Sequence, residues 1–163
     1  MNQLTTSRTL LTAVLAGGSV MSFLLDWSPN HLLNPLWHPH ARFHSAVLLF
    51  LFAGVAATAT WMLWRSSAEP VLAIKAAAFL SASYWTPFFF VPFLLPGSSW
   101  WAGIPGHQPR IAGVVIYPNL IVVGIFLLVT LYALRLGTNA ARQLALVSND
   151  FTARPTSAST AAR

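Results

Sequence analysis

The sequence predicts an all-α membrane protein. The expected fold is a bundle of four transmembrane helices with both termini in the cytoplasm and a polar, histidine-rich loop on the outer side. Three observations lead there. Hydrophobic residues make up 56% of the 163 and charged residues only 7%, against roughly a quarter charged in a soluble domain. The apolar residues fall into four long runs with short polar breaks. Lys and Arg gather on alternate breaks, as the positive-inside rule requires.

The runs cover residues 9–27, 43–64, 71–95 and 111–134. Each is close to the ~20 apolar residues that cross a ~30 Å hydrocarbon layer as a helix. Runs this continuous lack the alternation of barrel strands, and only helices or closed barrels satisfy the backbone in lipid. The breaks have turn chemistry. Trp64-Arg65-Ser66-Ser67-Ala68-Glu69-Pro70 is a short polar turn, and Pro96-Gly97-Ser98-Ser99 opens a longer loop that ends at Pro109-Arg110. Val14-Leu15-Ala16 would pass as a signal-peptide cleavage site, but the apolar run continues to Leu25, so the first span is expected to be retained. Residues 1–136 form the transmembrane domain. Residues 137–163 form a cytoplasmic tail, with a short surface helix at 139–147 and disorder from Ser148 onward.

Orientation follows from the cations. Arg8, Arg65, Lys75, Arg135, Arg142, Arg154 and Arg163 share one side, and only Arg42 and Arg110 lie on the other. Both termini are therefore expected inside, and a bacterial protein of this kind would sit in the plasma (inner) membrane. Trp27, Trp37, Trp100 and Trp101 fall at the outer boundary, Trp61 and Trp64 at the inner one. Small residues such as Ala13, Gly17, Gly54 and Thr58 permit close helix contact and oligomerisation. The net charge of +6 does not point to nucleic acid, because the basic residues form no stripe with stacking aromatics. The lack of cysteine excludes disulfides, thiolate metal sites and a cysteine nucleophile.

Chemistry concentrates between the first two spans, where His31, His38, His40 and His44 all lie. Ser28-Pro29 reads as a short helix start, Asn34-Pro35 as its end, and Pro39 as the first residue of the second helix. His40 and His44 then stand four apart on one helix face. That spacing presents two imidazoles to one divalent metal, or makes them general acid–base groups. Asp26, at the end of the first span, is the expected third ligand or the acceptor that orients an imidazole. Arg42 is expected to pair with Asp26 or to grip an anionic headgroup. The structural alternative is that these residues are interfacial anchors and that the loop only caps the bundle.

Polar residues of the other spans converge at the same level. Tyr84 and Thr86 are followed by Pro87 and Pro92, which should kink the third span, and Tyr117 and Asn119 lie near the outer end of the fourth. Polar groups inside a membrane usually face the bundle interior or a ligand, so an outward-facing pocket for a lipid-like molecule is expected. The competing reading is that Tyr84 and Asn119 merely join helices by hydrogen bonds. His107, on the third loop, is expected to be solvated.

The run Asn34-Pro35-Leu36-Trp37, with Pro39-His40-Ala41-Arg42-Phe43-His44, resembles the signature of a family of small four-span membrane proteins of unknown function. The resemblance implicates Asp26, Asn34, Pro35, Trp37, His40, Arg42 and His44, and does not include His38. It carries no activity with it.

These observations lead to a protein that binds or transforms a small apolar molecule at an outer-leaflet site. His40, His44 and Asp26 are its expected catalytic residues. Arg42, Asn34, Trp37, Tyr84, Tyr117 and Asn119 are its expected ligand contacts. A non-catalytic membrane subunit or scaffold is the competing reading.

Overall fold

Three of the four long helices begin on a proline, whose fixed φ suits the first helical position and whose missing N–H is not needed there. In the computed structural model α1 spans Gln3–Asp26, α2 Pro39–Trp64, α3 Pro70–Trp85 and the last long helix Pro118–Ala153. The structure describes residues 2–101, 103 and 106–153, except for the side chains of 145 and 147–153. Asn2 caps α1 by accepting the Thr5 N–H at 2.8 Å. Pro39 opens α2 as its sequence position indicates, and His38 Nδ1 accepts the His40 N–H at 3.3 Å.

Among the described residues, three helices are long and apolar enough to cross a membrane: Gln3–Asp26, Pro39–Trp64 and Pro118–Leu144. The third apolar run behaves differently. Its 16 helical residues measure roughly 24 Å at ~1.5 Å per residue, short of the hydrocarbon layer. The chain continues as a 3-10 turn at Thr86–Phe89 and a single turn, α4, at Val91–Leu94. Pro87 and Pro92 explain the break, since each removes an intrahelical donor and clashes with the preceding turn. The expected kink is thus a break into three pieces.

The fourth run also departs from its expected bounds. Residues 111–115, included in it for their apolar character, belong to a two-stranded hairpin. β1 (Arg110–Ile111) pairs antiparallel with β2 (Val114–Val115), Ile111 opposite Val114. The two-residue turn has positive φ at both Ala112 (49°) and Gly113 (82°), the mirror-image turn that matches strand twist. At its other end the final helix, α5, runs past Gly137 to Ala153. Residues 148–153, read from sequence as disordered, are therefore helical. The remaining tail, with Arg154 and Arg163, lies outside the described residues.

α1 packs on α2, α3 and α5, and α3 packs on α2 and α5, while α2 and α5 bring no Cα atoms within 8 Å of each other. Ser7 Oγ donates to the Ala133 carbonyl at 2.7 Å, joining the start of α1 to α5. Trp64 Nε1 donates to Thr12 Oγ1 at 2.9 Å, joining it to the end of α2. The Ser81 and Thr130 hydroxyls share a buried 2.8 Å hydrogen bond between α3 and α5. Leu11, Leu15, Leu63 and Ile74 are fully buried among them. The outer flanks stay apolar: Leu24, Phe79 and Leu128 are 66–75% exposed, far more apolar surface than a water-soluble monomer presents.

The close helix contacts fall at other glycines than expected. Gly17 and Gly54 face open space, whereas a Cβ on Gly18 would lie 2.5 Å from Trp85 and one on Gly137 2.8 Å from Ile74 and from Ser7 Oγ. Composition can mark small residues, but only packing selects those that a neighbour needs.

Candidate functional site

The end of α1, the start of α2, the end of α3 and the start of α5 meet at one pole of the molecule. The 27–38 connection closes over them through its own turns. His31 N–H donates to the Ser28 carbonyl and Leu32 N–H to that of Asp26, each at 3.0 Å. Ser28 does not cap a following helix; its Oγ donates back to the Leu25 carbonyl at 2.7 Å. Asn34 Oδ1 accepts the Leu36 N–H at 2.9 Å, an Asx turn that reverses the chain. Arg42, from the first turn of α2, reaches back with Nε to the Leu32 carbonyl at 2.7 Å. Arg42 and Asn34 thus hold the shape of the loop.

Below this cap lies a cavity of about 670 Å³, within the ~300–1,000 Å³ range of small-molecule sites. Asp26, His31, Ser98, Ser99 and Asn119 line it from the cap and the adjoining loop and helix ends, and Ser45, Ser83 and Tyr84 line it from the helices. One wall follows α2 from Ser45 to Val55, about 15 Å of helix at ~1.5 Å per residue, and Leu80 and Phe88 contribute to the lining from the α3 side. Tyr84 lies between. Its ring stacks on Phe52 with centroids 3.4 Å apart, and its hydroxyl is 3.4 Å from Ser22 Oγ. Trp85, fully packed against Gly18, Phe52 and Phe126, closes the core behind it.

Asp26 lies beside His31, not beside His40 or His44: Asp26 Oδ1 and His31 Nε2 are 3.9 Å apart, near enough for charge attraction and too far for a hydrogen bond. The His31 ring meets Trp37 edge-on at 6.1 Å. Asn119 Nδ2 donates to the Trp100 carbonyl at 3.1 Å, and Trp100 Nε1 donates to the Phe88 carbonyl at 2.6 Å. The latter bond takes up a backbone acceptor in the broken stretch.

Of the residues singled out from sequence, Asp26, Trp37, Tyr84 and Asn119 line the cavity, and His40, His44, Arg42, Asn34 and Tyr117 do not. Tyr117 packs on Trp100 with ring centroids 5.4 Å apart. His31 was not selected from sequence. Its signal was its place five residues after Asp26, in a stretch where Ser28-Pro29 forces a turn.

His40 and His44 form a second group. Their Nε2 atoms are 3.0 Å apart on the exposed first turn of α2, and Phe43 lies against the His40 ring. Two imidazoles that each hold a metal at ~2.0–2.1 Å in adjacent positions have about this N···N separation. Among the described residues no group of three or more His, Cys, Asp or Glu is arranged to hold a metal.

These features define a class: a small helical protein with membrane-length helices and an apolar cavity closed by a polar cap. Within that class, the chain belongs to the family of unknown function DUF6640, which it matches over residues 9–143. No curated protein and no solved structure matches it.

Proposed function

We propose that this is an integral membrane protein that binds a small apolar molecule in the cavity beneath the 27–38 cap, at the outer leaflet. The observation that carries the reading is the cavity's lining: a mostly apolar wall along α2 and α3, interrupted by Ser45, Ser83 and Tyr84, with Asp26, His31 and Asn119 contributed by the cap and the helix ends beside it. That lining matches a molecule with an apolar body and one polar group. α3, the 3-10 turn and α4 together serve as one discontinuous span, which makes four crossings. Irregular backbone at membrane depth is tolerated where it lines a cavity. Both termini are cytoplasmic, because Arg8, Arg65, Lys75, Arg135 and Arg142 lie at the pole opposite the cap. Where the bound molecule carries a reacting proton, His31 and Asp26 are its acid–base pair.

The test is mass spectrometry of organic extracts from detergent-purified protein, beside a Val55→Trp variant that fills the cavity wall. The expected result is one or a few apolar molecules retained by the wild type and lost from the variant. The same extract from both proteins, with the variant eluting as a folded species, overturns the reading.

The 3.0 Å imidazole pair favours a separate role for His40 and His44, as a two-point ligand for a divalent metal completed by solvent. Metal content after chelator-free purification should fall in a His40→Ala/His44→Ala variant. Equal content in both proteins removes this role and leaves the pair as part of the cap.

A further inference from the structure

We infer that the cavity takes its ligand sideways from the bilayer, through a gap between α2 and residues 86–94, and that the ligand is a single-chain amphiphile with a hydrogen-bond-donating head such as a long-chain alcohol. The inference rests on the binding function proposed above and specifies its substrate class and route.

The gap has a covalent origin. α3 packs along α2 as far as Trp85. After Pro87 breaks the helix, neither the 3-10 turn nor α4 brings a Cα within 8 Å of α2, while the 3-10 turn stays against α3 and α5. The chain has turned away from α2 where the cavity lies. On the two sides of the divergence stand Leu48 and Leu51 of α2, 60% and 59% exposed, and Val91, 37% exposed; all three also line the cavity. Residues that line a cavity and face outward on an apolar flank form its rim, and this rim faces the acyl chains. A ligand dissolved in the membrane reaches such a rim without crossing water.

The head group follows from the cap. Among the described residues Asp26 is the one carboxylate that lines the cavity; His31 lies 3.9 Å from it, and no Lys or Arg accompanies the pair. A carboxylate or phosphate head would sit beside a like charge, whereas a hydroxyl can donate to Asp26 and accept from its neighbours. Polar cap and lateral rim together orient the ligand as a lipid is oriented, head outward and chain along α2.

The chain contains no cysteine, so a Leu48→Cys/Val91→Cys variant carries a single thiol pair across the rim. In nanodiscs, a brominated octadecanol added through the lipid should quench tryptophan fluorescence as it enters beside Trp37 and Trp100. Joining the two thiols with a bis-maleimide should slow quenching at least ~10-fold relative to the same variant capped with a mono-maleimide. A brominated stearate should bind at least ~10-fold more weakly than the alcohol, as a like-charge contact requires. Uptake at an unchanged rate after crosslinking overturns the lateral route, and equal or tighter binding of the stearate overturns the head-group assignment. Binding of a short water-soluble bromoalcohol without the long-chain one overturns the inference while sparing the proposed function. Failure of every probe on the uncrosslinked protein removes the proposed function itself.

Discussion

The two poles of this molecule are built from the same helices and packed in opposite ways. Where α1 begins, Leu11, Leu63 and Ile74 are fully buried, Gly137 leaves no room for a Cβ, and the Ser7 hydroxyl is paired across helices. Where α1 ends, helices of similar composition surround a cavity of about 670 Å³. Hydrophobicity does not separate the two poles. Backbone continuity does: α3 is unbroken through the packed half and loses its helix at Thr86, within the open one. In lipid, where apolar side chains gain little by leaving the solvent, close packing is what joins helices, so a break in one helix becomes a void.

That contrast can be broken in a definite order. Ile74→Ala removes a fully buried side chain from the tight pole and should cost about 2–5 kcal/mol. Leu48→Ala, on the cavity rim, should stay within about 0.5 kcal/mol. Detergent-unfolding midpoints compare them, and equal costs would mean that the poles are packed alike. Gly137→Ala sets a methyl group against Ile74 and Ser7 and should cost about 1–3 kcal/mol. Gly17→Ala and Gly54→Ala, which meet nothing, should be neutral or should stabilise by up to ~1 kcal/mol through helix propensity. Replacing the break itself, with Pro87→Ala/Pro92→Ala, should extend α3 and draw its end toward α2. The expected sign is added amide protection in hydrogen exchange at 86–92, with about tenfold weaker alcohol binding, or 1.4 kcal/mol. Unchanged protection would show that tertiary contacts, not the prolines, hold the chain away. The smallest effect is sought outside both poles. Ala112 sits at φ 49° in the hairpin turn, so Ala112→Gly should slow hydrogen exchange in the hairpin by the equivalent of about 0.5–1 kcal/mol.

Much of the architecture was legible along the chain because its causes are local. Apolar runs of membrane length mark α1 and α2, and Pro39 marks the start of α2. The hairpin was hidden for the same reason: Ile111, Val114 and Val115 carry the hydropathy of a span and the β-branching of a strand, and only the Ala112-Gly113 turn decides between them. The extension of α5 beyond Gly137 was hidden because hydropathy falls off there, while the glycine itself admits Ile74 and Ser7.

The sequence by itself determined that the chain is apolar, helical and long enough to cross a membrane several times, and that its polar groups concentrate near one pole. These properties depend on residue type and on spacings shorter than one helix. Tertiary structure alone decided which of those groups share a cavity. His40 and His44 are four apart, so their pairing could be read directly; Asp26 and His31 meet through the turns at 28–34, and Tyr84 and Asn119 join them through packing between helices. Where α3 diverges from α2 depends on the sum of many side-chain contacts around a proline break, and no single stretch of sequence contains that sum.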